Sequence, residues 1–129
     1  MHTSWQTYVD ATLMGSGFVC QSAIFITTDR IAQLASSRHF EATVVEVKAI
    51  LRGFTEPEYL IRKKIILNKK CYVMVKASSQ CIIGKCHGGG CIVQKCRDIL
   101  VIGTFESIHG TSCLSLMNKL TDYLRHRMH

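Results

Sequence analysis

Between Leu60 and Thr104 the chain falls into five short apolar segments, each closed by residues that turn a backbone. The segments are Leu60–Leu67, Cys71–Ala77, Gln80–Cys86, Gly90–Lys95 and Asp98–Thr104, rich in Val and Ile. The breaks are Asn68-Lys69-Lys70, Ser78-Ser79, the triple glycine Gly88-Gly89-Gly90, and Cys96-Arg97. Runs of this length, bounded in this way, predict strands joined by hairpins rather than helices. Upstream, Val19–Thr27 predicts a buried strand, Asp29-Arg30 a turn, and Ile31–Ala35 the partner strand.

Helical periodicity frames these strands. Ser4–Met14 is amphipathic, and Met14-Gly15-Ser16-Gly17 stops it. Thr3 with Gln6 is placed for a capping box, giving about three turns. Trp5 and Tyr8 stand three apart, so a helix brings both rings to one face. Phe40, Val44, Val45, Val47, Ile50 and Leu51 recur near the helical period, which predicts a second helix over Glu41–Arg52 with Gly53 as its stop. Ser112–Arg127 predicts the closing helix, its apolar stripe running through Leu116, Leu120, Tyr123 and Leu124, and Arg125-His126-Arg127 suiting the negative end of the helix dipole. Helix, strands, helix, strands, helix is an α+β pattern: an antiparallel sheet with helices packed on its faces.

At 129 residues the chain suits a single domain spanning 1–129. A hydrophobic content of 47% with one proline argues for a packed core over disorder. No apolar run approaches the roughly 20 residues of a membrane span, and no leader-like pattern opens the chain, so the cytoplasm is the expected compartment. The formal charge of +7 favours acidic partners, among them anionic lipid, nucleic acid and acidic protein surfaces. The cations are spread over several elements, and the strands offer little aromatic surface beyond Tyr72 and Phe105. Base stacking is therefore poorly served, and nucleic acid is not an expected partner.

Cys81, Cys86, Cys91 and Cys96 recur every five residues, with His87 among them. A step of five in strands sends successive side chains to opposite faces, whereas zinc sites draw paired ligands from a tight turn. No metal and no other cofactor is expected, and the seven cysteines read as reduced, largely buried thiols. None sits on a strand-to-helix elbow with a base and an orienting group, so an enzyme is not expected. The triple glycine lacks the Gly-Lys-Ser/Thr and following helix of a phosphate loop, and reads as a hairpin turn. A basic lipid- or nucleic-acid-binding module and a thiol enzyme stand as rival classes. Salt-sensitive binding to unrelated polyanions would mark the first, and a single abnormally acidic thiol the second.

Ser4-Trp5-Gln6-Thr7-Tyr8-Val9-Asp10 with Leu13-Met14 resembles the amino terminus of profilins, particularly plant and amoeboid-protist members. Cys81–Lys95 followed by Asp98–Glu106 is similar to that family's Gly-Lys-Lys-Gly hairpin and the hydrophobic strand after it. Ile108-His109-Gly110 resembles the loop before the last helix in animal profilins, and Asn118–Leu124 the last helix itself. The resemblance implies a central antiparallel sheet of about five to seven strands. The amino- and carboxy-terminal helices would pack on one face and a further helix on the other.

It also implies three partners: monomeric actin, proline-rich proteins of the formin kind, and phosphoinositide lipids, for a monomer acting at the cytoskeleton. By likeness, proline-rich ligands would meet Trp5, Tyr8, Leu34, Tyr123, Leu124 and His129. Actin would meet Val73, Lys76, Lys85, Lys95, His109, Gly110, Ser115, Asn118 and Lys119, and lipid would meet Arg125 and Arg127. The alternative is a peptide- or lipid-binding module on the same fold with reduced or no actin binding. Two departures stand out. Leu34-Ala35-Ser36 occupies the place where many members carry a second tryptophan, and Lys119 stands where many carry an acid.

Overall fold

The computed structural model describes residues 4–127. Thr3 and His129, read above as a cap and a ligand contact, lie outside the described residues. Seven strands make one sheet: β1 (Gln21–Thr27), β2 (Ile31–Ser36), β3 (Ile65–Leu67), β4 (Lys70–Ala77), β5 (Cys81–Cys86), β6 (Gly89–Cys96) and β7 (Ile99–Glu106). Their order is β2-β1-β7-β6-β5-β4-β3, with each neighbouring pair antiparallel. β3 to β7 form a meander, and β1 closes it by pairing with β7, so the early hairpin and the late strands share one surface.

Helices cover both faces at the centre of this sheet, which is why β7 reads as a nearly continuous apolar run and β6 is apolar through Cys91–Val93. On one face, Ala23, Phe25, Tyr72, Ile82, Val93, Leu100 and Ile102 pack with Phe40 and with Val47, Ile50, Phe54 and Leu60 of two middle helices, α2 (Val44–Thr55) and α3 (Pro57–Lys63). On the other, Ile24, Ile92, Ile99 and Val101 pack with Val9 and Leu13 of the first helix and with Cys113, Met117, Leu120 and Leu124 of the last, α4 (Gly110–Arg127). The terminal helices thus share one face and the middle helices hold the other.

The first helix is not a plain α-helix. A single α turn, α1 (Trp5–Thr7), widens into a π-helical stretch, Tyr8–Leu13, and tightens into a 3-10 turn, Met14–Ser16, before Gly17 stops it at φ 81°. The Met14 N–H donates to the Val9 carbonyl, the five-residue step of a π turn. Ser4 caps it, its hydroxyl accepting from the Thr7 N–H at 3.1 Å.

The middle of the chain departs from expectation in four places. α2 begins at Val44, not Glu41. Thr43 Oγ1 accepts from the Glu46 N–H and Glu46 Oε1 from the Thr43 N–H, a capping box that fixes the start. Gly53 does not stop α2, which runs through Thr55. The expected strand Leu60–Leu67 is split: Pro57 presets the first turn of α3, Leu60 buries against the core, and only Ile65–Leu67 is a strand. The hairpin turn between β5 and β6 is His87-Gly88, with Gly88 at φ 81°, while Gly89 and Gly90 already pair as strand.

Candidate functional site

Where the first and last helices meet, three aromatic rings form a patch. The Trp5 and Tyr8 ring centroids lie 5.8 Å apart at 51°, and Tyr8 meets Tyr123 edge-on at 6.3 Å. The Arg127 guanidinium lies 5.4 Å from the Tyr123 ring centre. Leu34 of β2 packs, half-buried, against the α4-side core, as Trp5 and Tyr8 do. Gln6 fastens the helix to β2: its Nε2 donates to the Ser36 carbonyl at 2.8 Å and its Oε1 accepts from the Ser36 N–H at 3.3 Å. Thr12, Leu116, Lys119 and Leu120 complete an open depression beside Tyr8 and Tyr123. Leu124 does not join it. At 2% exposure it belongs to the core under α4, as its spacing from Leu120 would have indicated.

A second surface lies on the same side of the sheet, at its β4–β5 end. Val73 pairs with Lys85 and Lys76 with Ile83, so Val73, Lys76 and Lys85 point to the α4 side. Strict alternation would put Val73 and Lys76 on opposite faces. A bulge between Met74 and Lys76 adds one residue and brings them together. A depression lined by Ile83, Lys85, Gly110, Thr111 and Leu114 joins these strands to the start of α4. His109, in a 3-10 turn before α4, stacks on Phe18 with centroids 5.6 Å apart. Ser115 and Asn118 are exposed on α4, and Asn118 Oδ1 accepts from Gln94 Nε2 at 2.6 Å.

Two residues assigned to this surface lie elsewhere. Lys95 pairs with Leu100, whose side chain is in the α2-side core, so it belongs to the opposite face of the sheet. Lys119 borders the aromatic depression. Of the two arginines read as lipid contacts, Arg125 donates to Asp122 at 2.9 Å and to Gln80 at 3.3 Å, while Arg127 covers Tyr123. The residues missed by sequence reading are Gln6, Thr12, Leu116 and Gln94. Only the helix spacing of Thr12 from Tyr8, and of Leu116 from Leu120, carried a signal.

The five-residue cysteine step alternates faces within β5 and within β6, but the hairpin between them returns Cys91 to the face of Cys86. Cys86 and Cys91 pack on the α2 side, Cys81 and Cys96 on the α4 side. Burial pushes the Cys91 and Cys113 thiols up to about 12, and raises Cys81 and Cys96 as well. These four are held as neutral thiols, the reverse of what an activated nucleophile needs.

A seven-stranded antiparallel sheet with both terminal helices on one face and two middle helices on the other defines a single-sheet α+β class of small protein. The sequence model of the profilin family matches residues 3–128, and the chain belongs to that family. Profilin-A of Physarum polycephalum is 30% identical over 123 residues, covering 95% of this chain and 96% of the relative. Profilin-1A of Acanthamoeba castellanii is 30% identical over 122 residues, covering 94% and 95%. The solved structure of Acanthamoeba castellanii profilin IB superposes with a TM-score of 0.89 at 28% identity, covering 96% of this chain and 98% of that one. Mouse profilin IIa, solved in complex with a double repeat from the FH1 domain of mDia1, shares the fold at a TM-score of 0.80 and 24% identity, covering 97% and 99%. No helix among the described residues is long and apolar enough to cross a membrane.

Proposed function

We propose that this chain is an actin-monomer-binding regulator of the cytoskeleton that also holds proline-rich segments on the Trp5–Tyr8–Tyr123 patch. The observation that carries this reading is the patch itself: three rings contributed by the two ends of the sequence, with Tyr123 45% exposed. A polyproline II ligand is stiff and extended before it binds, so flat ring faces with polar rims capture it at low entropic cost. Leu34, in place of a second indole, supplies less stacking surface, which weakens proline binding by about 1 kcal/mol. The solved complex of mouse profilin IIa with an FH1 repeat supports a ligand of this kind.

Val73, Lys76 and Lys85, with the adjoining flank of α4, are the proposed actin face, and its cations would steer an acidic partner in a salt-dependent way. Binding to one end of the monomer, non-covalent and without catalysis, would oppose nucleation and leave the other end free to join a filament. Phosphoinositide would compete through Arg127 at the aromatic patch and through the lysines of β4 and β5. The cytoplasm is the compartment this role requires.

The test uses Trp5, the chain's single tryptophan and therefore a reporter inside the proposed site. A proline decamer is expected to shift its emission saturably, and Tyr123→Ala to weaken the effect. Monomeric actin, titrated in parallel, is expected to bind the native protein and to lose affinity for a Lys76→Glu/Lys85→Glu variant. Unchanged Trp5 emission at millimolar peptide sinks the proline reading, and no complex at micromolar actin sinks the actin reading.

A further inference from the structure

We infer that the groove between α2, α3 and β3 is a second peptide site, shaped for an amphipathic helix that carries acidic residues along its flank. The groove lies on the opposite face of the sheet from the aromatic patch, so it adds to the proposed function instead of restating it. Its cavity is about 410 Å³, floored by Ile50 and Leu60 and walled by Val45, Ala49, Tyr59 and Ile66. Val45 is 77% exposed and Ile66 45%, with Val44 and Ile61 also open to solvent around it. Valine at an exposed position adds nothing to a helix, because its stiff χ1 lowers helix propensity. An apolar groove with such walls is suited to burial by a partner.

Charge identifies the partner. Lys63 and Lys64 form one rim, and neither takes part in an ion pair among the described residues. Glu46, on the opposite rim, is already committed to the cap of α2. The Lys63–Lys64 rim is therefore cationic with no ion pair among the described residues to offset it, and carboxylates on the flank of an incoming peptide complement it.

Lys64 carries the second, independent sign. Its backbone sits at φ 65° and ψ 169°, a region essentially restricted to glycine, while its N–H closes α3 by donating to the Leu60 carbonyl at 2.7 Å. Glycine would fit there without strain, yet a lysine stands there with its side chain beside the groove. Strain of this kind is characteristic of ligand-contacting positions. The ligand is a helix and not an added strand, because β3, the sheet edge at this groove, is only 3 residues long and offers few ladder bonds. Side chains at i, i+3, i+4 and i+7 of a helix fill such an apolar valley, leaving flanking glutamates for Lys63 and Lys64.

The test is fluorescence anisotropy of a labelled amphipathic peptide of about five turns, leucines on one face and glutamates beside them, titrated with the full chain. Saturable binding that weakens with salt is expected, with Val45→Asp and Lys63→Glu/Lys64→Glu each weakening it roughly ten-fold or more. Lys64→Gly is the decisive variant: it is expected to raise the thermal midpoint by relieving the strained backbone while lowering peptide affinity. The proline-decamer signal of Trp5 is expected to be unchanged in all three variants, so this site and the aromatic patch stand or fall separately. The proposal is overturned if the acidic peptide does not bind, if the lysine version binds equally, or if only anionic vesicles bind. It is equally overturned if Lys64→Gly gains stability with no loss of peptide affinity.

Discussion

Replacing Gly53 by alanine tests whether the α2–α3 contact, and not helix propensity, sets the residue at this position. Gly53 is buried within α2, and a Cβ built on it would lie 2.1 Å from Leu60 Cδ1 and 2.5 Å from Leu60 Cγ. Leu60 is 0% exposed and locked among Ile50, Phe54 and Ile65, so it has little room to move. On an open helix the change would stabilise by about 1 kcal/mol. Forcing a methyl group into a filled core costs about 1–3 kcal/mol, and overlap reaching Cγ as well as the terminal methyl puts this site at the upper end. The two terms leave Gly53→Ala less stable by about 1–2 kcal/mol. At this chain length that corresponds to a fall in Tm of about 4–8 °C.

Urea unfolding followed by circular dichroism should show a lower midpoint with an unchanged slope. Leu60→Ala supplies the second arm. Alone it should cost about 2–5 kcal/mol, but in the Gly53→Ala background at least about 1 kcal/mol less, because the new methyl occupies part of the vacated space. A Gly53→Ala protein as stable as the native one, or strictly additive costs, would refute this account of the helix pair.

Three further outcomes follow from thiols and buried polar groups. Cys91 and Cys113 have folded values pushed up to about 12, above the ~8.5 of an unfolded thiol, so the neutral form favours the folded state. Their stabilisation should be intact below about pH 8.5 and decline as pH rises toward about 12. Iodoacetamide at pH ~8 should label exposed Cys20 and Cys71 in the native protein but reach Cys91 and Cys113 only in urea, and native labelling of Cys113 would contradict the burial argument. In the polar cluster under α4, Gln94 Oε1 accepts from Thr121 Oγ1 at 3.1 Å. Thr121→Val keeps the shape and removes that donor, so urea unfolding should show a loss of about 1–3 kcal/mol, and a loss below about 0.5 kcal/mol would mean that Gln94 finds another partner.

The strands most legible in the sequence are those whose burial is simplest. β7 is apolar on both sides because helices cover both faces, and α4 announces itself through Leu116, Leu120 and Leu124 at helical spacing. α3 was hidden because Tyr59-Leu60-Ile61 and Ile65-Ile66-Leu67 form one apolar run on paper. The reversal at Lys64, in a glycine-like conformation, leaves no mark in residue type. Gln94 reads as a solvent-facing strand residue until α4 lies over it with Asn118 and Thr121. The π-helical turn between Tyr8 and Leu13 likewise has no compositional signal. The shared face of Trp5 and Tyr8 was legible from their spacing of three on a helix, whereas Tyr123 was set beside them only through the resemblance of Asn118–Leu124 to the family's last helix. The bulge that aligns Val73 with Lys76, and the face that takes Lys95, depend on strand register, which a single strand does not encode.

Because Tyr8 and Tyr123 stand at opposite ends of the sequence, the aromatic patch can exist only after the whole intervening sheet has been synthesised and closed. A partly made or partly folded chain would offer β-strands and thiols but no complete patch. Chain ends are also where native structure opens most readily. A ligand spanning these rings would therefore act as a clasp, joining the first helix to the last and slowing hydrogen exchange at both together. Its occupancy would be readable at amides that it never touches.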